Sequence, residues 1–120
     1  MNSREKGDQT ETIAASFLQN NGYKILARNV YFVGGEIDIV AFKNILTFVE
    51  VKSVMCVRDA PFCEPEELFN SRKKRIVLRS INRFISKYCL TNVEWTLDLI
   101  CLTGIGSGFK LKHYQNVLSY

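Results

Sequence analysis

The chain has 120 residues, 47% of them hydrophobic, and a formal net charge of +4. That suffices for one compact core and is too little for two ordinary domains, so a single domain over residues 1–120 is expected. No apolar run approaches the roughly 20 residues that span a bilayer. The opening Met-Asn-Ser-Arg-Glu-Lys leads into a polar segment rather than the apolar stretch of a secretory leader, which makes the cytoplasm the expected location and a membrane partner unexpected. Cys56, Cys63, Cys89 and Cys101 form no C-x-x-C pair, and the sole histidine, His113, has no cysteine beside it. Reduced thiols and an ordinary strand histidine are therefore expected rather than a zinc site.

From about Asp8 to Asn21, Ile13, Ala14, Phe17 and Leu18 recur at helical spacing, and Asn21-Gly22 supplies a left-handed stop. On this opening helix Glu11 lies one turn before Ala14 and two before Leu18, at the edge of the buried stripe. Tyr23 to Val33 is rich in aromatic and branched residues and reads as a strand, reversed at Gly34-Gly35 into a second strand, Glu36 to Phe42. Lys43-Asn44 is a short turn, and Ile45 to Ser53 a third strand that completes an antiparallel meander.

Residues 54–67 contain both prolines, Pro61 and Pro65, and no period, which predicts a loop ending in a helix start, with Glu66 and Glu67 suited to the helix N-terminus. From about Glu66 to Tyr88, residues Val77, Ile81, Phe84, Ile85 and Tyr88 share one arc at about 100° per residue. Arg72, Arg75, Arg79, Arg83 and Lys87 share the opposite arc. Glu94 to Leu102 alternates as a fourth strand, with Trp95, Leu97, Leu99 and Cys101 on one face and Asp98, Ile100 and Leu102 on the other. After a Gly-Ile-Gly-Ser-Gly turn, Phe109 to Val117 returns as an edge strand, guarded by Lys110 and Lys112. The order α-β-β-β-α-β-β predicts an α/β fold with a mixed central sheet of about five strands flanked by helices.

The chemistry concentrates in Gly35-Glu36-Ile37-Asp38-Ile39-Val40 and Phe48-Val49-Glu50-Val51-Lys52. Alternation puts Glu36 and Asp38 on one face of the second strand and Glu50 and Lys52 on one face of the third, while Ile37, Ile39, Val49 and Val51 turn to the opposite face. Charged groups amid such apolar strands are costly unless paired or bound to something. A hard divalent cation, Mg²⁺ or Mn²⁺, meets that need, with Asp38 and Glu50 as ligands and a backbone carbonyl such as that of Val51 as a further oxygen. Such an ion acidifies a bound water, and Lys52 could position that water or stabilise charge growing on a phosphate. The set suits phosphodiester hydrolysis better than acyl transfer. A plain Glu50–Lys52 surface ion pair is the competing account of the same residues.

Between Arg72 and Lys87 there are seven basic residues and no acidic ones. A basic row opposite an apolar stripe is often only a solvated surface. Beside an acidic metal site it acquires another use, and Arg72, Lys73, Arg75, Arg79 and Arg83 are candidate phosphate contacts to nucleic acid.

Taken together, Glu11 with Ala14 and Leu18, Gly22-Tyr23, Arg28-Asn29, Gly35-Glu36-Ile37-Asp38 and Phe48-Val49-Glu50-Val51-Lys52 resemble the YraN family, over nearly the whole chain. That bacterial group is classed with the PD-(D/E)xK nucleases and is similar to archaeal Holliday junction resolvases. The resemblance implies a restriction-endonuclease-like core, a catalytic motif of Asp38, Glu50 and Lys52, and in Glu11 the helical acid that helps hold metal. It also implies a homodimer, since related resolvases are dimers. The family's usual Arg-Phe-Asp strand is altered around Leu97-Asp98-Leu99: Thr96 holds the arginine position and Asp98 keeps the acid. Arg72 stands where a lysine is expected, with Lys73 adjacent. The expected function is a metal-dependent endonuclease acting on DNA, on branched or damaged structures such as DNA repair encounters. A protein that keeps the nuclease fold and binds nucleic acid without turnover is the alternative, motivated by Thr96 and Arg72.

Overall fold

In the computed structural model, residues 3–55, 69–105 and 108–119 are described. Helix α1 (Ser3–Asn20) precedes strands β1 (Lys24–Phe32), β2 (Gly35–Lys43) and β3 (Ile45–Met55); helix α2 (Ser71–Lys87) precedes β4 (Trp95–Ile105) and β5 (Gly108–Tyr114), and a short 3₁₀ turn (Val117–Ser119) follows. The strands form one sheet in the order β1-β2-β3-β4-β5. β1–β2, β2–β3 and β4–β5 are antiparallel, whereas β3 and β4 run parallel. A parallel pair needs a crossover, and α2 lies in that connection. The mixed sheet and the order α-βββ-α-ββ are those expected from the sequence.

Each helix covers one face of the sheet. Val77, Ile81 and Phe84 of α2 pack with Ile37, Val40, Phe48, Leu97, Leu99 and Cys101. Ala14, Ala15 and Leu18 of α1 pack with Ile39, Ala41, Val49 and Ile100 on the other side. The two arcs read on α2 fall where expected, since Arg72, Arg75, Arg79, Arg83 and Lys87 are all exposed. Tyr88 departs from its arc: it caps the helix and is half exposed, its ring tilted against Phe84.

Several boundaries differ from those read in the sequence. α1 begins five residues earlier, at Ser3. α2 begins at Ser71, because the side chain of Asn70 accepts a hydrogen bond from the Lys73 N–H at 3.0 Å and its extended backbone stops the helix there. Glu66 and Glu67, read as suited to a helix N-terminus, lie with Pro61, Pro65, Cys56 and Cys63 outside the described residues. β5 is an edge strand but ends at Tyr114, and Val117 is buried from the 3₁₀ turn instead.

One correction bears on the chemistry. Ile37 and Ile39 do not share a face: Ile37 packs under α2 and Ile39 under α1. The alternation slips at the residue between them, Asp38. Across the ladder Arg28 pairs with Ile39 and Val30 with Ile37, so the intervening Asn29 faces Asp38. Asn29 holds the left-handed conformation, with a φ of 53°. The two strands are kinked together at one level, and β2 turns the Asp38 side chain out of the regular pleat.

Candidate functional site

The β2–β3 ladder runs from Lys43↔Ile45 to Ile39↔Val49 and stops there. Past that point the Val51 N–H donates not to a strand carbonyl but to Asp38 Oδ2, at 2.8 Å. The buried carboxylate thus holds open the split between the two strands. Glu50 projects toward the same split, close enough to Asp38 for each carboxyl to shift the other's ionisation. Lys52 Nζ stands 3.4 Å from Glu50 Oε1, with side-chain exposures of 30% for Lys52 and 12% for Glu50. That depth separates the pair from an exposed surface bridge.

Burial pushes the Glu50 carboxyl up to about 8; the charge of Asp38 pushes the same way, and Lys52 offsets part of it. Asp38 is also raised by burial, against the opposing pull of the Val51 N–H and Lys52. Glu36 is raised by burial and by Asp38, with Lys52 again opposing. Near neutral pH the metal-free protein therefore favours a protonated Glu50 carboxyl. Crowded carboxyls that keep a proton for want of positive charge are a donor set a divalent cation fits.

Under α2 the site opens into a cavity of about 270 Å³, whose walls include Gly35, Glu36, Glu50, Lys52, Lys73 and Ile76. Lys73 lines this cavity and its neighbour Arg72 does not. Arg75, Arg79 and Arg83 line a separate open groove of about 500 Å³ along the outer side of α2. The Arg83 guanidinium donates to the carbonyl of Val33, at the β1–β2 turn.

Glu11 approaches from α1 but stops one residue short. With the Asn29 amide oriented so that its nitrogen faces the carboxylate, that nitrogen donates to Glu11 Oε1 and Oε2 at 2.6 and 2.7 Å. Glu11 is thereby tied to the residue opposite Asp38, and Arg28 donates to the adjoining Thr12 Oγ1. Among the described residues no three His, Cys, Asp or Glu side chains gather closely enough to hold a metal ion. The site's own donors are the two carboxylates of Asp38 and Glu50. Mg²⁺ commonly takes one or two carboxylates and completes its shell with waters and substrate phosphate oxygens.

Residues 10–102 match the family profile described as "Uncharacterised protein family UPF0102". The chain belongs to this family. A UPF0102 protein of Carboxydothermus hydrogenoformans is 38% identical over 121 residues, covering the whole of both chains. One of Clostridioides difficile is 40% identical over 83% of this chain and 86% of its own, and one of Fervidobacterium nodosum is 36% identical over 89% and 77%. The stretch matched to UPF0102 contains Glu11, Asp38, Glu50, Lys52 and α2, and ends within β4, before β5.

Another buried polar pair in this UPF0102 chain was not apparent from the sequence. Asp98, buried on the α1 side of β4, accepts from His113 Nε2 at 2.8 Å and from the Asn116 N–H at 2.9 Å. The His113 ring is wedged edge-on between Phe17 and Tyr23. Thr96, at the position where the resemblance expects arginine, is on this side too, and its buried Oγ1 has no hydrogen-bond partner among the described residues. Asp98 thus ties β4 to β5 and the chain after it. Asp98→Ala is expected to leave His113 and the Asn116 N–H without their acceptor and to lower stability in urea by about 2–4 kcal/mol. Mn²⁺ affinity, set on the α2 side of the sheet, should be unchanged in the same protein.

Proposed function

We propose that this UPF0102 protein is a divalent-metal-dependent endonuclease that hydrolyses phosphodiester bonds in DNA. The observation that carries the reading is the Asp38–Glu50 pair, two carboxyls drawn out of water at a strand split, with Lys52 beside them and a basic helix above. An ion bound there, Mg²⁺ or Mn²⁺, would supply a Lewis acid to a phosphate oxygen and favour ionised water at neutral pH. The protein's own groups do the rest. Asp38 and Glu50 hold the ion, with Asp38 fixed in turn by the Val51 N–H. Lys52, partly exposed beside Glu50, offers its ammonium to charge developing on the phosphate. Glu11 acts from the next position, holding Asn29 and so the kink that aims Asp38.

Exposed Arg72, Arg75, Arg79 and Arg83, with Lys73 at the cavity wall, would bind the phosphate backbone with little sequence preference and strong dependence on salt. The test begins with metal. Calorimetric titration with Mn²⁺ should show binding to the wild type and none to Asp38→Asn. Branched and single-stranded DNA should then be nicked by the wild type in Mn²⁺ and not by Asp38→Asn, with both proteins folded by circular dichroism. Cleavage that survives the substitution would remove the site. DNA binding without cleavage of any substrate would leave a binding protein on a nuclease scaffold.

A further inference from the structure

The sheet ends at β5, whose outer row of peptide groups meets no further strand among the described residues. Such an edge accepts another strand unless something prevents it. The side chains of β5 alternate between the two faces of the sheet. Leu111 packs with the core under α1, and His113 meets Phe17 of α1 edge-on with ring centroids 5.7 Å apart, so Phe109, Leu111 and His113 share the α1 face. Tyr114 packs with the core under α2, which puts Lys110 and Lys112 on that opposite face, and both are exposed.

Alongside the edge runs a groove of about 520 Å³ between α1 and β5, walled by Ile13, Ser16, Phe17, Asn20, Phe109 and Leu111. Phe109 is 53% exposed, which leaves much of a large apolar side chain in water. A strand added to β5, about 4.8 Å further out, would set alternate side chains beside Phe109 and Leu111 at this groove, and the intervening ones beside Lys110 and Lys112.

Charge selects the occupant. A second copy pairing β5 with β5 about a twofold axis would bring the lysines of each chain opposite those of the other, and like charges facing across a ladder are destabilising. The same lysines attract a strand that carries acids at those positions. A nucleic-acid strand would satisfy the lysines but offers the edge no peptide groups to pair with. We propose that the β5 edge and its groove form a docking site for an extended acidic segment of another protein, taken up as a sixth strand, with apolar side chains in the α1–β5 groove and alternating acids against Lys110 and Lys112. The site stands at the sheet edge opposite β1 and does not depend on the Asp38–Glu50 chemistry.

The test is fluorescence anisotropy with a labelled peptide alternating glutamate and isoleucine over seven residues, the length of β5, at nanomolar concentration. The wild type should bind it. Lys110→Glu combined with Lys112→Glu should weaken binding roughly tenfold and confer binding of the corresponding lysine–isoleucine peptide, which the wild type refuses. Phe109→Ala should also weaken binding, and methylating the peptide's backbone nitrogens should abolish it. A wild type that does not bind the peptide, or that binds the methylated form equally well, would overturn the added strand. Two further results would also overturn it: a loss of oligothymidine binding in the double variant as large as its loss of peptide binding, which assigns the lysines to nucleic acid, or a wild-type dimer in gel filtration that Phe109→Ala dissociates, which assigns the edge to a second copy. Because Phe109, Lys110 and Lys112 are exposed, all these variants should keep the wild-type melting temperature.

Discussion

Glu50→Gln should make the metal-free protein more stable at pH 8 while abolishing its response to Mn²⁺. In the unfolded chain the Glu50 carboxyl titrates near 4.5; in the fold, burial and the charge of Asp38 raise it to about 8. Between those values the folded state keeps a proton that the unfolded state has lost, so wild-type stability declines as pH rises from about 5 and the penalty is complete above about 8. Asp38, raised for the same leading reason, adds a contribution of the same sign. Lys52 tempers both. The net loss should be on the order of 3 kcal/mol across that window, or a drop of roughly 10 °C in melting temperature. Glutamine cannot ionise, can still hydrogen-bond Asp38, and should remove most of the decline.

Mn²⁺ reverses the comparison. A cation that binds only the folded state stabilises it by mass action, and it does so best where the carboxyls give up their proton most readily, toward pH 8. Wild type should gain melting temperature in millimolar MnCl₂ at pH 8 and little at pH 5, whereas Glu50→Gln should gain nothing at either. Differential scanning fluorimetry over a grid of pH and MnCl₂ reads both effects at once. A wild-type melting temperature that rises from pH 5 to pH 8 without metal would contradict the buried acid pair.

The order of elements and the two segments that carry the acids could be read from the sequence because both rest on local periodicity. Ile13, Ala14, Phe17 and Leu18, or Val77, Ile81 and Phe84, need only their spacing to declare an inward helical face; Ala14, Leu18 and all three α2 residues are buried, while Ile13 and Phe17 are half-buried. The strand split at Asp38 could not be found that way. Strict alternation assumes an unbroken ladder, and the break depends on Asn29, nine residues earlier, adopting a left-handed backbone opposite it. The Asp98–His113 bond is hidden for a related reason: its partners lie on different strands, and only the β4–β5 register brings them together. A buried acid in an apolar strand does signal that some partner exists, without saying which. The cap that opens α2 was hidden as well: asparagine suits turns as much as helix starts, and only the hydrogen bond from the Lys73 N–H to Asn70 shows which it serves.

Gly35→Ala should destabilise the fold by about 1–3 kcal/mol, and Ser80→Ala should relieve most of that loss. Gly35 pairs with Phe32 and its φ is not in the left-handed region, so backbone conformation does not demand glycine there. Space does. The added methyl would lie 2.4 Å from Ser80 Oγ, within a buried side chain whose hydroxyl donates to the Ile76 carbonyl at 3.3 Å. Either the serine turns away and loses that bond, or the start of β2 moves off α2. With Ser80 replaced by alanine, the nearest remaining atoms are Ile76 Cγ2 at 3.4 Å and the Ile76 carbonyl oxygen at 3.7 Å, ordinary contact distances. Urea denaturation of the wild type, both single variants and the double variant would therefore show a favourable coupling of at least about 1 kcal/mol. Gly34→Ala provides the contrast: nothing lies within 4 Å of its methyl, but its φ of +84° strains any L residue, so its cost should be indifferent to Ser80. Gly35 directly precedes Glu36 and lies three residues before Asp38, so displacement of β2 would also weaken Mn²⁺ binding, and Ser80→Ala should recover affinity in parallel with stability. Additive losses in the cycle would mean that the hairpin is not seated on α2 at this point.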